Sequence, residues 1–191
     1  TVTLEPVNLA IAMHALVEPL RPLAQQKGVD LRYQVEANVP ARMQTDGLRL
    51  GQILKNLLSN AIKFTHQGNV TLHISMDAPD TITFAVRDTG IGIAEDQLQL
   101  IFEAFHQADG STHRKYGGTG LGLSIARNLA KLLGGTISVH SVPGSGSVFT
   151  FKAPVEQASA ELLQTIQPTP TTAVPALSPV TAPHAPCTPI T

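Results

Sequence analysis

Four glycines fall within six residues of the stretch Gly117-Gly118-Thr119-Gly120-Leu121-Gly122-Leu123, and they constrain the chain more than any other feature. A polar loop precedes them. A run from Leu121 to Leu133 follows, with apolar residues at helical spacing, and stops at Gly134-Gly135. The glycines therefore stand where a loop becomes a helix starting at about Thr119 and ending at Gly134. At such a start the unpaired N–H groups and the positive end of the helix dipole face outward, and glycine lets an anion come close to the backbone. The spacing is not that of a P-loop, because no lysine follows the glycines. A Rossmann fingerprint directly follows a strand and is followed about 20 residues later by an acidic residue. Here a loop comes first, and no Asp or Glu lies between Ser124 and Pro154. Two readings stay open: a phosphate cradle of another kind, or a loop that closes into a helix without a ligand.

At 191 residues the chain is long enough for one full core and a tail. A net charge of −1 gives no global basic field, and so no case for nucleic acid. The single Cys187 excludes an intrachain disulfide, which is compatible with a cytoplasmic setting. The sequence has no signal-peptide pattern and no run of about 18 apolar residues, so this chain is not expected to span a membrane. With Thr rather than Met first, it reads as a piece of a longer protein, and an anchor elsewhere in that parent is left open.

Along the chain, Val2 to Leu4 reads as a short strand. Asn8 is placed to cap a helix carrying Leu9, Ala12, Met13, Leu16, Val17 and Leu20, which Pro19 and Pro22 should kink or shorten. Val29 to Val35 alternates as a strand, and Ala41 to Gln44 as a second short one. Asp46 then caps a helix to about Thr65, with Leu50, Ile53, Leu57, Ala61 and Phe64 in one apolar stripe. Asn56, Asn60 and Lys63 line the edge of that stripe. The same pattern fits a solvated helix edge or a pocket wall, and spacing does not separate them. Gly68-Asn69 turns the chain into a hairpin of Val70 to Met76 and Ile82 to Val86 around Pro79-Asp80. Its second strand runs into Asp88-Thr89-Gly90-Ile91-Gly92-Ile93, where the carboxylate suits either a turn or a ligand amino group. A mostly polar loop over 94–116 is of a length that is more often functional than idle. Thr136 to Val142 and Ser147 to Ala153 form a second hairpin around Pro143-Gly144-Ser145-Gly146. After Pro154 the composition shifts: Pro168 to Thr191 holds half of the chain's 14 prolines and is expected to be a disordered linker.

Four stretches stand in a fixed order: Asn56 to Phe64, Asp88 to Gly92, Phe102-Glu103-Ala104-Phe105, and Gly118-Thr119-Gly120-Leu121-Gly122. Together they resemble the N, G1, F and G2 boxes of the catalytic ATP-binding domain of sensor histidine kinases, in the superfamily shared with DNA gyrase B, Hsp90 and MutL. Phe105-His106-Gln107-Ala108-Asp109 is similar to hybrid kinases in particular. The resemblance implies an α/β fold: a two-layer α/β sandwich whose mixed, mostly antiparallel sheet carries three helices on one face. It covers about residues 2–153, so the chain is expected to divide into a catalytic ATP-binding domain, 1–153, and a Pro/Thr-rich tail, 154–191.

The roles that follow are those the resemblance implies. Asn60 holds Mg²⁺ through its side-chain oxygen, and Asn56 supports the same site. Lys63 meets phosphate charge, and Phe64 stacks near the adenine. Asp88 accepts from the adenine amino group, which favours ATP over GTP because guanine presents a carbonyl there. Gly90 and Gly92 shape the base pocket, with Ile93 beside them. Gly118, Gly120 and Gly122 give the phosphates room and donors, flanked by Thr119 and Leu121. Arg114 and Lys115 reach the γ-phosphate from a lid that Phe102 and Phe105 pin to the body.

None of the seven histidines sits in a phosphoacceptor box of the family; His14 comes nearest and lacks the Arg-Thr-Pro that should follow. The chain is thus expected to bind Mg-ATP and to need a separate histidine-containing dimerisation domain as acceptor. A response-regulator receiver domain would be the onward partner, tethered by the tail, and the fragment itself is expected to be monomeric. Two alternatives are an ATP-switched machine of the gyrase or Hsp90 kind and a nucleotide-binding regulatory pseudokinase. The former needs a catalytic Glu on the helix after Asp46, and Gln52 to Lys55 contain none.

Overall fold

The computed structural model describes residues 2–103 and 121–155. Of the expected tail, 154–191, only residues 154 and 155 lie within that range. The described part begins with β1 (Glu5–Asn8), α1 (Leu9–Val17), a 3₁₀ turn (Glu18–Leu20), α2 (Arg21–Gln26), β2 (Val29–Val35) and β3 (Arg42–Thr45). It continues with α3 (Gly47–Phe64), β4 (Gly68–Ala78), β5 (Thr81–Asp88), α4 (Gly122–Leu132), β6 (Thr136–Val142) and β7 (Gly146–Pro154).

A five-stranded sheet runs in the order β2-β4-β5-β7-β6. β2 pairs parallel with β4, and every other neighbour pairs antiparallel, so the sheet is mixed and mostly antiparallel. A strand's side chains alternate between faces, and register therefore stacks them in rows. Ile74, Phe84, Phe151 and Ile137 form one row, and Leu72, Val86, Phe149 and Val139 the next. These rows join the core on which α1, α3 and α4 lie, together with Leu9, Met13, Leu50, Ile53, Leu57 and Ala126. The rings of Phe84 and Phe151 stack with centroids 5.8 Å apart. Burying side chains of this size contributes roughly 1.5–3 kcal/mol each.

The helix signals act as the sequence implies. Asn8 Oδ1 accepts from Ile11 N–H at 3.1 Å, and Asp46 Oδ1 from Arg49 N–H at 3.1 Å. Pro19 and Pro22 break the first helical stretch into α1, the 3₁₀ turn and α2.

Two expectations need correction. The first strand lies at Glu5–Asn8 rather than Val2 to Leu4: its partner residues start at Thr45, and the Thr3 N–H is spent on Asp46 Oδ2 at 3.1 Å. Gly68-Asn69 also does not turn the chain. Both residues open β4, and the bend falls at His66-Gln67. Gly68 has φ +127°, and a Cβ there would run into Thr89 Oγ1, while Asn69 N–H bonds that same hydroxyl at 3.0 Å. The glycine thus allows two chain segments to meet. α4 begins at Gly122 with Leu121 as N-cap, and residues 119–120 lie outside the described range.

Candidate nucleotide site

The inner rows of the sheet are apolar until the last one. There Val70 of β4 stands beside Asp88 of β5, Ser147 of β7 and Ser141 of β6. Three polar side chains thus take the place of the aliphatic or aromatic residues of the rows before them. Asp88 is only 5% exposed. Burial pushes its carboxyl above the usual carboxylate range, while the N–H groups of Gly90 and Ser147 pull the other way. The Gly90 N–H donates to Asp88 Oδ1 at 2.8 Å. A buried carboxylate held by backbone donors, with desolvation outweighing them, makes Asp88 a candidate site residue.

The loop after Asp88 is clamped from both sides. Ile91 N–H donates to Phe64 O at 3.3 Å, the last carbonyl of α3. Gly144 N–H donates to Ile91 O at 2.7 Å, from the β6–β7 turn. Ile93 N–H donates to Ser141 Oγ at 2.8 Å. A Cβ on Gly90 would overlap Phe64 O and lie 2.9 Å from Asp88 Oδ1. Gly92, at φ +69°, leaves no room for a Cβ against the carbonyl of Val142. Here glycine is required by close approach rather than by looseness.

The second group lies between α3 and α4. Asn56 and Asn60 are half-buried, one turn apart. Asn56 Nδ2 donates to Gly122 O at 3.0 Å and so ties α3 to the first residue of α4. A Cβ on Gly122 would sit 3.9 Å from Asn56 Oδ1 and 4.0 Å from Asn60 Nδ2. Both amides therefore face the start of α4 across space that glycine keeps open. Leu121 offers no side-chain cap to the N–H groups of the first turn. Lys63 and Phe64 close the end of α3: the ammonium sits 5.0 Å over the ring, and burial lowers its pKa.

Of the expected residues, Asn56, Asn60, Lys63, Phe64, Asp88, Gly90, Gly92, Ile93, Leu121 and Gly122 lie in the described range, and all border these two groups. Phe105, Arg114, Lys115, Gly118, Thr119 and Gly120 lie outside it. Phe102 packs edge-on against Phe149, centroids 6.4 Å apart, with the Arg127 guanidinium 5.4 Å over its ring. Sequence reasoning missed Ser141 and Ser147. Ser141 Oγ meets Ile93 N–H, Gly146 O at 3.0 Å and Ser147 Oγ at 2.9 Å. Their alternation with Val139 and Phe149 carried the signal: polar residues in phase with a buried face.

Residues 45–157 match the family described as histidine kinase-, DNA gyrase B- and HSP90-like ATPase. The chain belongs to this family. It is 40% identical over 156 residues to the peroxide stress-activated histidine kinase Mak2 of Schizosaccharomyces pombe, covering 78% of this chain and 7% of Mak2. It is 50% identical over 130 residues to the aerobic respiration control sensor protein ArcB of Escherichia coli K12, covering 66% of this chain and 16% of ArcB. The full-length ShkA crystal structure in complex with AMPPNP superposes with a TM-score of 0.75 at 37% identity, covering 83% of this chain and 32% of that one. The chain thus spans a small part of these relatives and is a catalytic ATPase domain of the histidine kinase kind. The α/β sandwich expected of such a domain is the fold observed. No helix among the described residues is long and apolar enough to cross a membrane.

Proposed function

We propose that this domain binds Mg-ATP and delivers its γ-phosphoryl group to a histidine on a separate dimerisation domain, as the donor half of a two-component kinase. The observation that carries the reading is the polar end of the inner sheet face. Asp88 is buried there beside a loop bonded to the last carbonyl of α3, and α3 also carries Asn56 and Asn60 toward the start of α4. A purine amino group would donate to Asp88, and the triphosphate would run toward the two amides and Gly122. Guanine presents a carbonyl at that position, and an ionised carboxylate repels it.

The half-buried Asn60 amide, facing the start of α4, would suit a divalent cation shared with phosphate. Among the described residues no cluster of three His, Cys, Asp or Glu forms a closed metal cage. The side-chain oxygen of Asn60 would supply one ligand, leaving phosphate and water to complete an octahedral shell. Bound Mg²⁺ would neutralise phosphate charge. The chain's own part is to fix the base, align the triphosphate and keep the γ-phosphorus in reach of the acceptor. The P–O bond to ADP breaks and a P–N bond to the imidazole forms, while the imidazole proton leaves to a base or water on the acceptor side.

No Asp or Glu occurs anywhere in α3, so the helix offers no carboxylate to activate water in the manner of the gyrase-like ATPases. Incubation with ATP and the helical acceptor domain of the parent protein should give acid-labile phosphohistidine, and the chain alone should give neither phosphohistidine nor steady ATP hydrolysis. No transfer between two folded partners, with hydrolysis by the chain alone, would replace this reading with the ATPase one. The receiver-domain partner and a cytoplasmic setting follow from the same reading.

A further inference from the structure

The end of α3 is finished by a residue far away in sequence. The last four carbonyls of a helix have no intrahelical partner, and glycine in a left-handed turn usually serves them. Here Thr65 follows at φ −102° and ψ 120°, with no such turn. Each terminal carbonyl nevertheless has a bond from elsewhere. Ala61 O accepts from Thr65 Oγ1 at 2.7 Å, and Phe64 O from Ile91 N–H at 3.3 Å. The two between them, Ile62 O and Lys63 O, both accept from Lys27 Nζ at 2.6 Å.

Topology brings Lys27 there. It ends α2 just before β2, α3 ends just before β4, and β2 and β4 are parallel neighbours in register from Val29 and Gly68. Its backbone is fixed as well: Lys27 N–H bonds Leu23 O and Ala24 O, and Gly28 follows at φ +71°. A cation at the negative end of a helix is stabilising on its own account. Burial and the nearby Lys63 lower the Lys27 pKa, and the ammonium is the form that its two carbonyl partners favour.

We propose that Lys27 is a positioning residue for the nucleotide site: by holding the last turn of α3 it fixes Phe64 O, and through it the Ile91 amide and the loop that follows Asp88. The inference rests on the reading of that loop as the base pocket. Charge-assisted bonds to helix-end carbonyls are among the costlier ones to delete. A lysine that merely stabilised the fold would leave affinity untouched well below the unfolding temperature.

The test compares the whole chain with Lys27→Met, Lys27→Gln and Lys27→Arg. In the nucleotide-free proteins, Lys27→Met should speed hydrogen exchange of the Ile91 amide while the amides of β5 and β7 stay slow. Titration with AMPPNP and Mg²⁺ should show affinity about tenfold weaker in Lys27→Met and largely restored in Lys27→Arg, whose fork also spans two carbonyls. Unchanged Ile91 exchange and unchanged affinity in Lys27→Met, whatever its melting temperature, overturn the inference. Should Lys27→Met not fold, Lys27→Gln decides on the same two readouts. A wild-type chain that binds no nucleotide brings down the base-pocket reading instead, and the Ile91 exchange still judges the role of Lys27.

Discussion

The two ends of the candidate site are built differently. At the Asp88 end, most N–H groups of the loop are committed: Thr89 to Asn69 O, Gly90 to the carboxylate, Ile91 to Phe64 O and Ile93 to Ser141, while Ile91 O accepts from Gly144. Added carbon at Gly90 or Gly92 meets backbone carbonyls there. At the α3–α4 end, among the described residues, Asn56 Nδ2 bonds Gly122 O and joins half-buried amides to a helix start whose N-cap makes no side-chain capping bond. On the proposed reading, the Asp88 end would receive the base with its loop already held, and the α3–α4 end would offer helix-start donors to the phosphates. A rigid end that selects and an open end that adapts suits a ligand with an invariant ring and a charged tail that must hand over its last group.

Asp88 should give the largest effect. Asp88→Asn keeps an oxygen for the Gly90 N–H and removes the charge. Affinity for an ATP analogue should fall about 100-fold by titration calorimetry, and discrimination against the GTP analogue should shrink. The pH dependence has opposing signs in the two states. A folded-state pKa above the unfolded one makes this group's contribution to stability greatest below the unfolded value, and that contribution is lost as pH rises through the folded one. Nucleotide affinity should instead rise with pH over the same window, because the amino group needs the ionised acceptor. Thermal unfolding of Asp88→Asn at neutral pH should therefore show little loss. A cooperative collapse of the fold would make Asp88 structural and remove the contrast between the two ends.

What was legible in the sequence follows the same division. The alternating residues of β2 and β4 to β7 and the caps Asn8 and Asp46 announce themselves through short-range periodicity and local hydrogen bonds. Asp88 and Gly90 could be placed as a carboxylate at a strand end before a glycine turn. The link from Ser141 to Ile93 and the bond from Lys27 to α3 could not, because each joins segments that only the sheet order brings together. Gly68 misled for a related reason: a glycine-asparagine pair reads locally as a turn, but this glycine makes room for Thr89, a contact 21 residues away that no local pattern encodes.

A pair of glycine substitutions sharpens the comparison at an intermediate scale. Gly90→Ala drives a methyl into the backbone carbonyl of Phe64, which cannot swing aside, so stability should drop by about 3 kcal/mol in denaturant unfolding. Gly122→Ala finds only ordinary contacts at 3.9 Å or more, and in a helix alanine is the better former, so stability should hold or rise by about 0.5 kcal/mol. Its methyl nevertheless enters the gap that Asn56 and Asn60 face, and AMPPNP affinity should weaken about tenfold. Equal stability losses in the two variants would mean that the α3–α4 end is as tightly finished as the base end.

Ser141 should give the smallest effect, and it tests whether the base end owes its rigidity to the hairpin behind it. Its hydroxyl has one proton and two acceptor sites, and three partners lie within reach: Ile93 N–H, Gly146 O and Ser147 Oγ. All three bonds form at once only if Ser141 donates to Gly146 O and accepts from both Ile93 N–H and Ser147 O–H. Ser147 is then left as an acceptor beside Asp88. Ser141→Ala breaks this order, strands the Ile93 amide and frees the Ser147 proton to turn toward Asp88, which would compete with a ligand amino group for the carboxylate. Stability should fall by about 1 kcal/mol and affinity for the ATP analogue by about threefold to tenfold, while Ser141→Cys, a weak donor and acceptor, should fall between. If Ser141→Ala lowers stability alone, the hairpin is packing and nothing more. If affinity falls as well, at a temperature where the variant is still folded, the hydroxyl order reaches the carboxylate, and the fixed end of the site extends across three strands.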